Sequence, residues 1–349
     1  MPPKEDISYF SSNPVLRHFW HPVAQSEDIE AGPLARTVLG TPIVVFRDSA
    51  GNPACLPDIC PHRQAAMSRG TVTAGRIACP YHGWEFDGTG RCMRVPSAGP
   101  DDVIPTSAHI QPYHARERYG LVWVALADPV ADLPASPYDD DPRYRRLNTP
   151  VDVWQVSCSR LVDNLMDISH FPYTHPATLG VGSEKVVPPY SMQMLPDGFC
   201  GYIYEVRSSN PEIAHTASGQ SSDVVERRMT TGYALPFAVR STVAYSSGLE
   251  HNLYLLSTPI DDVSCYFTFI VWRNDDGSIP PEDVLAFDHA IAAEDKRQME
   301  AIAGPLPLVS GLVSVAADRA SLAWRRDFRS LLEKGIGHMT ASQLTAGVK

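Results

Sequence analysis

The chain has 349 residues, 44% of them hydrophobic and 20% charged, and a net charge of −11. That length suggests two domains or three small ones, and the hydrophobic share is enough for sizeable cores. The acidic balance excludes nucleic acid as the main partner. Met1 to Pro22 carries Lys4, Glu5, Asp6, Arg17 and two histidines without an apolar run, and no stretch reaches about eighteen apolar residues. Neither a secretory signal nor a membrane span is expected.

From Leu34 to Val124 the chain reads as short strands between turns. Thr41 to Phe46 runs into a turn at Asp48 to Asn52, Trp84 to Phe86 precedes a turn at Asp87 to Gly90, and Tyr119 to Leu126 closes the region as an apolar strand. This spacing indicates an all-β module. Within it stand Cys60-Pro61-His62 and, after sixteen intervening residues, Cys79-Pro80-Tyr81-His82. Two thiolates and two imidazoles form the ligand set of a Rieske [2Fe–2S] centre, with imidazole raising the potential to roughly −150 to +300 mV. The pattern therefore points to single-electron transfer. A structural zinc would use the same donors, but zinc fingers pair Cys with Cys and His with His, whereas each pair here is mixed. Pro61 and Pro80 stiffen the loop tips, and Gly83, Gly88 and Gly90 permit close backbone approach. The other five cysteines, Cys55, Cys92, Cys158, Cys200 and Cys265, are odd in number and read as reduced thiols of a cytoplasmic protein. Arg63, Arg69, Arg76, Arg91 and Arg94 surround the motifs, a basic rim suited to steering an acidic electron donor.

A stretch rich in Pro and Asp over residues 129–150 reads as a linker between a first domain, 1–128, and a second, 151–349. The segment from Asn164 to His170 is compatible with a helix. Alternation in Leu253 to Ser257 and Cys265 to Val271 predicts strands of an antiparallel sheet. Pro280-Pro281 opens a helix expected to run to about Ala303, and a last helix is expected over Ala316 to Glu333 with Gly335 as its stop. The whole reads as α+β: an all-β domain followed by an antiparallel sheet flanked by helices.

His170 and His175 are the second candidate pair. On an unbroken helix five positions turn about 500°, so the two rings would diverge by about 140°. They can share a metal only if the helix breaks, and Pro172 supplies a break. A carboxylate would complete the 2-His-1-carboxylate triad that holds non-heme Fe(II). Positions 284, 288, 291, 295, 299 and 302 form one face of the predicted helix and place Asp288 and Asp295 on an apolar stripe; spacing does not choose between them. The pocket is expected along the later sheet, around Tyr233 to Phe237 and Tyr254, although each of these aromatics singly reads as core.

Over nearly its whole length the chain resembles a Rieske non-heme iron oxygenase. Leu16 to Val23, Glu117 to Val124 and Ser169 to Pro176 are most similar to the demethylase oxygenases, among them caffeine N-demethylases and vanillate and dicamba O-demethylases. The resemblance implies Cys60, His62, Cys79 and His82 as cluster ligands. It resolves the carboxylate in favour of Asp295, within Ala293-Glu-Asp-Lys296, beside His170 and His175 on a mononuclear iron. Asp167 becomes the bridge that passes electrons between subunits, from His82 to His170, in a head-to-tail homotrimer. Asn164 becomes a neighbour of the iron that does not ligate it, and Asp163 reads as a solvated acid. The implied activity is O2-dependent hydroxylation of a small aromatic or heterocyclic substrate, chiefly N- or O-demethylation releasing formaldehyde. Electrons would come from NAD(P)H through a separate reductase or ferredoxin. Ring hydroxylation or dihydroxylation on the same scaffold is the alternative, and a Rieske electron carrier without its own catalysis is another.

Overall fold

The computed structural model describes residues 9–99, 102–179 and 185–338. The first eight residues and the last eleven of the two expected domains lie outside this range. The chain divides into two compact units, at Val130/Ala131, with Phe10 joining the second.

The described residues of the first unit form ten short strands. They are β1 (His21–Gln25), β2 (Leu34–Val38), β3 (Thr41–Arg47), β4 (Pro53–Pro57), β5 (Thr71–Thr73), β6 (Arg76–Ala78), β7 (Glu85–Phe86), β8 (Cys92–Arg94), β9 (His114–Arg118) and β10 (Leu121–Ala125). They form antiparallel sheets ordered β1-β10-β9, β2-β3-β4 and β5-β6-β7-β8. Val44 and Phe46 of β3, Leu56 of β4, Ile77 and Phe86 of the small sheet, and Ile110 pack into one core with Cys60 and Cys79. The cysteines are thus rooted in apolar packing, which fixes the loops that carry them.

The described residues of the second unit form eight strands. These are β11 (Arg145–Asn148), β12 (Asp152–Trp154), β13 (Gln193–Met194), β14 (Cys200–Ser209), β15 (Val224–Ala234), β16 (Ala238–Tyr245), β17 (Glu250–Pro259) and β18 (Cys265–Arg273). They make one antiparallel sheet ordered β11-β18-β17-β16-β15-β14-β13, with β12 also on β18. Part of the stretch expected as a linker is therefore a strand, because alternation across Arg145 to Asn148 buries Leu147 against β18. Among the described residues five helices accompany the sheet: α1 (Cys158–Met166), α2 (Phe171–Thr174), α3 (His215–Ser218), α4 (Pro281–Met299) and α5 (Arg319–Lys334). Helix α4 has Glu282 and Asp283 in its first turn and Lys296 and Arg297 in its last, charges that complement the helix dipole. It ends at Met299, short of the expected Ala303, and α5 begins at Arg319 after a single 3₁₀ turn.

The two faces of the sheet do different work. Tyr254 points to the face opposite the cavity, whereas Tyr233 has the parity of the inward residues of β15 and packs against α5, with Phe237 in the turn after it. The Tyr233 hydroxyl donates to Asp327, the Phe237 ring packs tilted on Phe10 and edge-on to Phe328, and the Tyr254 hydroxyl donates to the Ala135 carbonyl. The expected pocket position is thereby corrected. These aromatics are core, and the cavity described below is lined instead by Met229, Thr231, Leu253 and Leu255 of the same strands.

Candidate active site

The two Cys–His loops share one backbone plan. In the first, Cys60 N–H donates to the Ala65 carbonyl and Gln64 N–H to the Cys60 carbonyl; in the second, Cys79 N–H donates to Trp84 and Gly83 N–H to Cys79. Both turns need a left-handed residue at the same place, Gln64 at φ 59° and Gly83 at φ 69°. On this frame the histidine sits two residues after the cysteine in one loop and three after it in the other. The rings of His62 and His82 come to 4.5 Å between centroids, and His62 stacks on Trp84 at 4.6 Å. His82 and Tyr81 are exposed. Burial pushes the Cys60 thiol up to about 11, and contact with Cys79 pushes it the same way. His62 Nδ1 is buried without a hydrogen-bond partner. Buried polar atoms left this way are rare, and a metal ion beside two thiolates would satisfy it, so the donors fit a [2Fe–2S] cluster. All five arginines of the basic rim are exposed, but Arg94 and Arg76 are engaged by Glu85 at 2.7 and 3.9 Å.

In the second unit the helix breaks earlier than expected. Helix α1 stops at Met166, Asp167 is extended at φ −85°, ψ 146°, and Pro172 lies in the first turn of α2, where it starts a helix instead of ending one. His170 and His175 cap the two ends of that single turn, and their rings come to 5.1 Å between centroids. From α4, Asp295 Oδ1 lies 3.6 Å from His170 Nε2 and 3.3 Å from His175 Nε2. The three side chains form the one group among the described residues with three such donor atoms mutually within 4.8 Å.

The groups behind these donors hold them in place. Asp167 accepts from His170 Nδ1 at 3.0 Å and also from the backbone of His170 and the Ser169 hydroxyl. Burial alone would raise the Asp167 carboxyl, but these hydrogen bonds hold it below its ordinary value. Glu294 accepts from His175 Nδ1 at 3.0 Å and from the Thr178 hydroxyl at 2.6 Å. Burial pulls the His175 imidazole down, and the Asp295 and Glu294 carboxylates outweigh it and raise it. Both histidines so turn Nε2 toward Asp295, the arrangement in which a metal ligand is oriented by an acid on its other nitrogen. Asn164 donates from Nδ2 to Asp295 Oδ1 at 2.9 Å. Asp288, the other carboxylate of the stripe, instead pairs with His251 at 2.9 Å. Asp163 departs from the expected solvated acid: Arg325 grips both its oxygens at 2.6 Å, tying α1 to α5.

A cavity of about 140 Å³ opens beside His170, His175 and Asp295. Met229, Val243, Leu253, Phe267 and Phe269 line it from the sheet and Ile291 from α4. Its lining is largely apolar, as ligand sites are.

The chain matches the model of the Rieske [2Fe–2S] domain over residues 19–113 and that of the vanillate O-demethylase oxygenase C-terminal domain over residues 154–334. It is 32% identical to methylxanthine N1-demethylase NdmA of Pseudomonas putida over 94% of this chain and 92% of that one. The chain belongs to the Rieske non-heme iron oxygenases. This oxygenase is also 31% identical to the oxygenase component of dicamba O-demethylase from Stenotrophomonas maltophilia, covering 82% of this chain and 88% of the relative. The structure of Pseudomonas putida NdmA with caffeine superimposes with a TM-score of 0.82 at 30% identity, over 97% of both chains. That of dicamba monooxygenase bound to dicamba does so at 0.77 and 26% identity, over 91% of this chain and 98% of that one. The oxygenase thus has a Rieske [2Fe–2S] domain joined to a catalytic domain, and no helix among its described residues is long and apolar enough to cross a membrane.

Two residues of the catalytic domain escaped the reading of the sequence. Glu294 stood beside Asp295 in the same tetrapeptide, and its signal was burial at a helix position next to the apolar stripe. Arg227 stood among alternating residues of β15 at the inward parity, where a lone charge is itself the signal.

Proposed function

We propose that this oxygenase hydroxylates an N- or O-methyl group of a small aromatic or heterocyclic substrate, with loss of the carbon as formaldehyde. The observation that carries this reading is the convergence of His170 Nε2, His175 Nε2 and Asp295 at an apolar cavity, each histidine being pinned from behind by an acid. The named demethylase relatives supply the methyl group as the target. Cys60, His62, Cys79 and His82 would hold the cluster, and His170, His175 and Asp295 would hold Fe(II). When bound, the two groups supply single electrons and activation of O2, so that one oxygen atom enters a C–H bond.

The protein's own residues do the rest. Asp167 fixes His170 and links it to His82 of the partner subunit in a head-to-tail homotrimer, a ring of heterologous contacts. Asn164 holds Asp295 in its rotamer by donating to Oδ1. The apolar walls exclude water around the reacting carbon. The exposed tip at Tyr81 and His82 and the free arginines Arg63, Arg69 and Arg91 receive a reductase or ferredoxin that draws on NAD(P)H. A cytoplasmic setting suits the seven cysteines, all free in the structure.

The test is turnover by the full chain with a reductase and a panel of methoxy and N-methyl compounds, following O2 uptake and formaldehyde. Product appearing as a phenol or cis-diol without formaldehyde would overturn demethylation. Asp295→Ala is expected to lose iron and turnover while keeping the cluster's visible spectrum; full activity in that variant rejects the metal assignment. Asp167→Asn is expected to keep both metals and stop reoxidation of the cluster by O2 and substrate, and wild-type turnover would reject the bridge.

A further inference from the structure

One charge in the cavity has no counterpart among the described residues. Arg227 lies on β15 at the same parity as Met229 and Thr231, which line the cavity with it. It is 6% exposed, and its Nε and Nη2 are buried without a hydrogen-bond partner. The other buried arginines of the sheet are paired. Arg240 meets Asp197 at 2.6 Å, and Arg273 meets Asp275 at 2.7 Å and donates to the carbonyls of Thr216 and Ala217. No carboxylate among the described residues stands within ion-pair distance of Arg227. The Tyr245 ring lies 5.8 Å from its guanidinium carbon, which answers some of the charge but none of the in-plane N–H groups.

The nearby acid is already engaged. Asp288 lies 2.9 Å from His251 Nε2, and Arg273 Nη1 lies 3.3 Å from His251 Nδ1, so the acid is held within a His251–Arg273 cluster. Arg145, Arg227 and Arg273 at this end of the sheet face Asp275 and Asp288, which leaves one positive charge unbalanced. A buried charge is retained only when something pairs with it.

The register shows where this charge sits. Met229, Val243, His251 and Arg273 form one row across the sheet, and Arg227 is one inward position beyond it, paired with Tyr245. On α4, Asp288 contacts His251 in that row, and Asp295 follows seven residues later, about 10 Å along the helix. The cavity therefore has a cationic end and a metal-ligand end, with Leu253, Leu255, Phe269 and Ile291 lining its wall.

We propose that Arg227 is an anion subsite and sets specificity: the substrate is a single-ring molecule bearing one carboxylate, which Arg227 holds while the opposite end of the ring presents its methyl group to His170, His175 and Asp295. This deepens the demethylase reading and rests on it. It separates two chemistries, a neutral heterocycle such as caffeine and an aromatic acid, in favour of the acid.

The test is calorimetric titration of the full chain with meta- and para-methoxybenzoate, with the matching methoxybenzamides of equal shape and no charge, and with caffeine. At least one benzoate is expected to bind about tenfold or more tighter than its amide and than caffeine, and Arg227→Gln to abolish that preference while leaving amide binding unchanged. Arg227→Lys keeps the charge without the fork and is expected to retain part of it; this variant decides the matter if the glutamine variant does not fold. Equal or tighter binding of an amide or caffeine, an unchanged preference in Arg227→Gln, or no benzoate bound at millimolar concentration overturns the proposal. Binding of the benzoates without formaldehyde from any of them would overturn demethylation and leave the subsite standing.

Discussion

A histidine serves a metal through one ring nitrogen and the protein through the other. Here the protein's side of that contract is uneven. His170 leans on Asp167, a neighbour in its own loop, whereas His175 leans on Glu294, a residue of α4 adjacent to the carboxylate ligand candidate itself. Glu294 thus couples the short turn α2 to the helix that carries Asp295. Glu294→Gln can still accept the Nδ1 proton but loses the charge, and iron affinity is expected to fall about tenfold; Glu294→Ala is expected to lower it about a hundredfold. Competition with a chelator, read by iron content, checks both, with the cluster absorbance as an internal control. Unchanged affinity in the alanine variant would assign Glu294 to packing alone.

At the scale of elements, the paired Cys–His loops depend on close backbone approach beside them. Gly90 has φ +78°, and a Cβ there would stand 1.9 Å from the Ile110 carbonyl oxygen, while at Gly40, with φ +70°, nothing lies within 4 Å. Gly90→Ala is expected to lose more than about 3 kcal/mol and to shed the cluster, and Gly40→Ala about 1 kcal/mol with the cluster retained. Urea midpoints followed beside the visible absorbance test this, and equal shifts would show that the contact at Ile110 does not matter. Much of the element pattern was legible. The Cys–His spacing, the strand alternation and the helical face bearing Asp288 and Asp295 are local properties of the chain. The break before His170 was misplaced because Pro172 terminates a helix only from its interior, and Asp167 had already turned the chain. Spacing alone could not choose between Asp288 and Asp295, because what separates them is His251, a partner contributed by a distant strand. Arg227 was missed for the same kind of reason: its lack of a partner is a property of the assembled sheet.

The whole molecule is two compact units, each with its own core and its own donor set. In the catalytic unit the large sheet acts as a partition. Along β17, His251, Leu253 and Leu255 line the cavity, while Asn252, Tyr254 and Leu256 are 0%, 1% and 2% exposed on the other side. Alanine at Leu253 or Leu255 is expected to change which methoxybenzoate binds best with a small change in melting temperature. Alanine at Tyr254 or Leu256 is expected to cost about 2–5 kcal/mol and leave that ranking intact. Loss of ranking from both sets would dissolve the distinction. If it holds, the strand's two-residue period has an evolutionary meaning. Diet and durability are written on alternate residues of the same strands, so a lineage can change the compound it consumes by successive single substitutions without first having to become more stable.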